Sequence, residues 1–92
     1  MPNSYEQCVA VFKALADETR LKIAEMLSQK GEMCGCHILR EFQITQPTLS
    51  YHIKILTDCG LIHGRREGTW VQYSLNPEMV ALVRNFLETL AE

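Results

Sequence analysis

The sequence predicts a mostly α-helical fold with a small β-hairpin, in the order ααααββα. Three observations predict it. Apolar residues recur at three- and four-residue spacing in four stretches up to residue 60 and in one after residue 76, as in amphipathic helices. Between these stretches, LIHGRREGTWVQYSL gathers β-prone residues, among them Trp70, Val71 and Tyr73, around a turn at Glu67-Gly68. Gly31 and Gly60 stand where two helical patterns stop, the place where a left-handed residue closes a helix.

Each element has its own justification. SYEQCVAVFKALA opens near Ser4 and carries Cys8, Val11, Phe12 and Leu15 at helical spacing. DETRLKIAEMLSQKG is a second helix, with Asp17 as cap, Asp17 and Glu18 suited to its positive end, and Leu21, Ala24 and Leu27 as its stripe. HILREFQ, with Ile38, Leu39 and Phe42 apolar, is a short third helix. A turn at Gln43-Ile44 leads to TQPTLSYHIKILTDCG, where Thr45 can cap and Pro47 is tolerated in the first turn, its missing N–H not being needed there. Leu49, Ile53 and Leu56 form that helix's inward stripe. After the hairpin, Asn76-Pro77 starts a last helix through Met79, Val80, Leu82, Val83, Phe86, Leu87 and Leu90. Its apolar surface is wide for a terminal helix, as expected where a second subunit docks.

Ninety-two residues with no internal repeat or linker read as one domain, 1–92. A hydrophobic fraction of 47% permits a core, and 22% charged residues argue against disorder. No apolar run approaches the ~18 residues of a membrane span. The opening MPNSYEQ lacks the basic-then-apolar pattern of a signal peptide, so a cytoplasmic protein with reduced thiols is expected. The net charge of −2 runs against a phosphate-binding partner, but its distribution does not. Glu6, Asp17, Glu18, Glu25 and Glu32 lie in the first third of the chain, while Arg40, Lys54, Arg65 and Arg66 come later.

A short helix, a tight turn and a polar-fronted helix make a helix-turn-helix at about 35–60, and the hairpin at about 61–75 is its wing. Such a unit binds duplex DNA with the second helix in the major groove. Gln46 can pair with adenine, and Thr48 and Ser50 suit a base or a phosphate. Tyr51 and His52 can donate to phosphate or stack, and Lys54 neutralises backbone charge. One such unit makes few contacts, and dimers reading half-sites ~34 Å apart are the usual remedy. Helices at about 4–16 and 77–91 would form that homodimer, with Val11, Leu82, Phe86 and Leu90 as candidates for the interface; a monomer that buries them internally is the alternative. An enzyme needs a nucleophile and a base that converge. Ser50 and His52, two apart on one helix, diverge, so no catalytic residue is predicted.

EMCGCHIL sets Cys34 and Cys36 one residue apart. On a helix turning about 100° per residue their side chains would point roughly 200° apart. Both sulfurs can reach one ion only where the backbone between them is not helical, and Gly35 permits that. The expectation is that the thiols are separated in the helical state and are drawn together by a thiophilic ion. Binding would then distort the helix that supports the recognition helix. Cys8 belongs to the first helix's apolar stripe and Cys59 precedes Gly60, so both read chiefly as packing residues.

FKALADETRLKIAEML, EMCGCHIL, QPTLSYHIKILTDCGLI and GRREGTWVQYSL together resemble the ArsR/SmtB metalloregulators, over about residues 8 to 77. The resemblance implies a dimeric winged helix-turn-helix repressor of operator DNA. It implies release when As(III) or Sb(III) binds Cys34 and Cys36, and a wing whose Arg65 and Arg66 reach the minor groove or the flanking phosphates. Two positions depart from the pattern. His37 replaces the usual aspartate and adds a nitrogen ligand, and Leu39 stands where some members carry a third cysteine. A third ligand would come from His37, Cys8, Cys59, a partner's thiol or a small cytosolic thiol. The last helix offers Glu78, Glu88 and Glu92 but no histidine, which argues against the zinc or nickel site some members place there. Three alternatives stand beside this reading: a repressor sensing Cd, Zn, Pb or thiol redox state, a soft-metal trafficking module, and a winged helix used for protein contacts.

Overall fold

Four of the helices begin at a side chain that satisfies a free N–H group of the first turn. In the computed structural model, which describes residues 4–92, Asp17 accepts from the Arg20 N–H to open α2 (Glu18–Lys30). Thr45 accepts from the Thr48 N–H to open α4 (Gln46–Asp58), and Asn76 from the Glu78 N–H to open α5 (Pro77–Ala91). α1 spans Ser4–Leu15 and α3 spans Gly35–Arg40. The strands are β1 (Met33–Cys34), β2 (Ile62–Glu67) and β3 (Trp70–Leu75). The first three residues of the MPNSYEQ stretch, on which the signal-peptide reading partly rests, lie outside the described residues.

The fold is a winged helix-turn-helix: α3 and α4 form the helix-turn-helix and β2–β3 the wing. Gly60 joins them at φ 83, a backbone conformation that other residues adopt only under strain, and a Cβ there would press within 3.1 Å of the Met79 methyl. Val11, Ile23, Leu27, Ile38, Leu56 and Ile62 are the largest fully buried side chains, drawn from five elements. Each contributes about 1.5–3 kcal/mol through the water it leaves. Leu21, expected in the α2 stripe, is exposed. The buried pair is Ile23 and Leu27, one turn apart, and Leu21 lies on nearly the opposite side of the helix.

Two further expectations change. β1 is a third strand that no sequence pattern announces. It pairs antiparallel with β3, Met33 opposite Tyr73 and Cys34 opposite Gln72, giving the order β1-β3-β2. Val11, expected at a subunit interface, is fully buried in the protomer's own core, because α1 turns that stripe toward α2 and α4. Of the other expected interface residues, Leu82 and Phe86 are partly buried against the core, with Phe86 beside the rings of Tyr5 and Phe12. Leu90 is 67% exposed.

Candidate functional site

The thiol segment begins as a strand and ends as a helix. Pairing with β3 holds Cys34 extended at φ −66, ψ 142, and α3 starts at the next residue, with Cys34 as its N-cap. The side chain of an N-cap folds back over the first helical turn. The Cys34 sulfur accordingly accepts from the Cys36 N–H at 3.3 Å and meets the Cys36 sulfur at 2.7 Å, both thiols being free. The expectation that the sulfurs stand apart until an ion draws them together therefore fails. The extended-to-helical step between residues 34 and 35 brings them together in the ligand-free fold. Tyr73, from β3, lays one ring edge against Gly35, where a Cβ would come within 3.3 Å of the ring.

The bond between the two thiols lowers the pKa of Cys34 and raises that of Cys36. Desolvation resists ionisation of both, and the positive charge of Arg40 favours it. Cys34 is thus the first to become a thiolate, with the Cys36 S–H donating to it. One ion about 2.3 Å from each sulfur needs the two within roughly 4.6 Å of each other, and this pair meets that condition. No group of three or more His, Cys, Asp or Glu able to hold a metal exists among the described residues. The expected third ligands lie elsewhere. Cys8 is sealed in the core, the Cys59 thiol donates to the Leu56 carbonyl, and His37 is exposed beside Arg40 and Glu41 in a separate hollow.

The thiols open into a cleft of about 630 Å³. α4 forms one wall, through Gln46, Ser50 and Lys54, and the wing forms the other, through Trp70, Val71 and Tyr73. Trp70 is 57% exposed, an unusual position for so large an apolar side chain, and sequence reasoning assigned it only to the strand. Its signal was present: an aromatic two residues after the wing's turn glycine.

The residues expected to face DNA divide. Gln46, Thr48, Ser50, Tyr51 and Lys54 are exposed along α4. His52 is not. Its ring is largely buried, with Nδ1 3.1 Å from the Arg20 guanidinium and 3.9 Å from the Asp17 carboxylate, so it ties α4 to the start of α2. Lys54 pairs with Asp58 at 3.1 Å, one turn on, an exposed pair that phosphate can replace. Arg65 is held by Glu32 through two bonds of 2.6 and 3.0 Å and by Glu67 at 2.7 Å. The Arg65 guanidinium keeps the Glu32 carboxyl below its ordinary pKa. Arg66 has no ion pair among the described residues and stands opposite Val71, on the face of the wing that walls the cleft.

Comparison with known proteins follows the same lines. Residues 17–63 match the family described as bacterial regulatory protein, arsR family. Over 76 residues the chain is 50% identical to an arsenical resistance operon repressor of Bacillus subtilis, across 83% of this chain and 70% of that one. It is 44% identical over 70 residues to a cadmium resistance transcriptional regulatory protein CadC homolog of Staphylococcus aureus, across 76% of this chain and 58% of that one. The crystal structure of an ArsR family transcriptional regulator matches with a TM-score of 0.86 at 27% identity, covering 99% of this chain and 93% of that one. The solution structure of a homodimeric winged helix-turn-helix DNA-binding domain from Mycobacterium bovis, a possible ArsR-family regulator, matches with a TM-score of 0.75 at 31% identity. It covers 95% of this chain and 80% of that one.

Proposed function

Because this chain belongs to the arsR family of bacterial regulatory proteins, winged-helix DNA-binding regulators rather than enzymes, we propose that it represses transcription as a homodimer on operator DNA and lets go when As(III) or Sb(III) binds Cys34 and Cys36. One observation carries the reading: the paired sulfurs open into the cleft whose walls are the recognition helix and the wing. An ion at the thiols fixes the spacing and direction of the two sulfurs. That constraint falls on β1, bonded to the wing's β3, and on α3, which precedes the recognition helix. DNA requires wing and helix in one relative placement, and the ion favours another. Its differential affinity for the two arrangements is what releases the operator.

The curated relatives named for arsenical resistance support a metalloid, and the one named for cadmium keeps other thiophilic ions in the same site. The homodimer rests on the exposed apolar residues of α5, Leu87 and Leu90, and on the homodimeric relative. Among the described residues no helix is long and apolar enough to cross a membrane, in keeping with a cytoplasmic operator-binding protein. The residues proposed to meet DNA are Gln46, Thr48, Ser50, Tyr51, Lys54, Arg65 and Arg66.

The test is gel retardation of the promoter upstream of the protein's own gene, with and without arsenite, for the native chain and the Cys34→Ser, Cys36→Ser double variant. The native protein should release DNA on arsenite, and the variant should bind equally well and stay bound. Release of the double variant by arsenite would remove the thiols from the site.

A further inference from the structure

We propose that Arg20, in the first turn of α2, is a positioning residue for operator binding: it fixes His52 in the tautomer that carries its proton on Nε2, and so makes that edge of the recognition helix a donor to a backbone phosphate. The inference rests on the reading of the chain as an operator-binding protein and adds to it one contact built from two helices.

The tautomer follows from what the ring meets. Arg20 Nε donates to the Ala14 carbonyl at the end of α1, which holds the guanidinium in place, and Nη1 lies 3.1 Å from His52 Nδ1. A guanidinium donates and has no acceptor, so Nδ1 accepts there. An imidazole whose Nδ1 accepts keeps its single proton on Nε2. Asp17, the other charged group at this ring, does not reverse the assignment. Its carboxylate is 3.9 Å from Nδ1, beyond hydrogen-bond reach, and it already accepts from the Arg20 backbone N–H.

The opposite edge of the ring is open. The His52 side chain is only 12% exposed, yet Nε2 has no partner among the described residues. No buried side-chain nitrogen among them lacks a partner, so Nε2 reaches the surface. A donor needs no more than its own edge uncovered, and a largely buried ring provides that with little freedom left to lose on binding. Tyr51, exposed and proposed to meet DNA, stands edge-on to the ring with centroids 5.4 Å apart. The acceptor that matches is an anion. The Arg20 charge lies behind the ring, and its bond to Nδ1 polarises the Nε2–H outward, which strengthens donation to a phosphate oxygen above all. A chain of net charge −2 thereby turns a half-buried arginine toward the duplex through a neutral side chain.

The experiment reads the tautomer and the contact separately, on the full chain. Nitrogen NMR of the imidazole rings at neutral pH should show His52 with Nε2 protonated and Nδ1 bare in the native protein, and both tautomers in Arg20→Met. Operator affinity is then measured on duplexes from the promoter upstream of the protein's own gene, with single phosphates replaced in turn by uncharged methylphosphonate. His52→Phe, which keeps a ring but has no donor, should bind the unmodified duplex about tenfold more weakly. Among the phosphates whose replacement weakens the native chain, one per half-site should cease to matter in that variant. His52→Gln, whose amide offers an oxygen to Arg20 and an N–H outward, should recover most of the loss. A native His52 protonated on Nδ1, or native and His52→Phe chains equally sensitive at every phosphate, would overturn the proposal and leave the repressor reading standing. A native chain that bound no such duplex would remove both.

Discussion

Helix α4 and the thiol segment at residues 33–36 face each other across one cleft and are built on opposite terms. α4 is local. Thr45 caps it, Leu49, Ile53 and Leu56 bury one stripe, and Gly60 follows its end, all within sixteen residues of sequence. The thiol segment is not. Two residues of strand are held extended by β3, the second strand of the wing, and the helix begins where that pairing stops, at Cys34. The recognition helix owes its shape to its own sequence, and the thiol geometry depends on a partner strand. A ligand at the thiols therefore acts where the fold is most conditional, and the wing is the first element to feel it.

The largest expected effect separates stability from sensing. Leu56 is fully buried on α4, and Leu56→Ala should lower unfolding free energy by about 2–5 kcal/mol in denaturant titration. Cys36→Ser, half-buried at the head of α3, should cost far less stability while removing ligand binding. If both changes destabilised the chain equally, the thiol segment would belong to the core and the contrast would be lost.

Next comes the contact that ties the thiols to the wing. A methyl at residue 35 would approach the Tyr73 ring at 3.3 Å, and the ring's other edge lies at Gly64 of β2, where a Cβ would come within 3.1 Å. Tyr73 fits between two glycines of distant elements. Gly35→Ala should cost about 1 kcal/mol through overpacking and raise the pH at which the first thiolate forms, since the shift in α3 loosens the bond that lowers Cys34. Ultraviolet thiolate absorption against pH reads this directly. An unchanged titration would mean that the sulfur pair does not depend on the Tyr73 contact.

This dependence explains what was legible in the sequence. α1, α2, α4, α5 and the wing hairpin could be read because caps, stripes and turn glycines are local signals. Cys34 and Cys36 could be singled out by residue type and spacing. Their convergence could not, because it follows from pairing between residues 34 and 72, and a two-residue strand has no periodicity. His52 failed for a related reason. Its place on α4 was right, but the Arg20 and Asp17 groups that draw it inward come from another helix. Val11 failed because an apolar stripe does not say whether a protomer or its partner covers it.

Asp17 offers a smaller test on the stable side of the comparison. It caps α2 and stands near His52, and Asp17→Ala should cost about 1 kcal/mol. Its pKa is lowered, mainly by the Arg20 backbone N–H and also by the charges of Arg20 and His52. The contribution is thus fully present above the ordinary carboxylate value of 3.8 and is lost as pH falls through the lowered one. Native and variant stabilities measured against pH should converge at the acid end. Parallel curves would show that the carboxylate charge plays no part in the cap.

The smallest effect concerns the wing itself and discriminates two adjacent arginines. Arg66 carries no ion pair among the described residues, whereas Arg65 must leave Glu32 and Glu67 before it can reach a phosphate. Arg66→Ala should therefore reduce the salt dependence of operator binding by about one phosphate contact. Arg65→Ala should reduce it by less, because part of that charge is already spent inside the protein. Glu32→Gln should move Arg65 toward the behaviour of Arg66, steepening the salt dependence as the guanidinium is released. Glu32 directly precedes β1, so the same change removes one link between the thiol segment and the wing. If Glu32→Gln altered neither the salt slope nor the response to arsenite, the Glu32–Arg65 pair would be a surface contact without part in either, and coupling to the wing would fall to the β1–β3 ladder and the Gly35–Tyr73 contact.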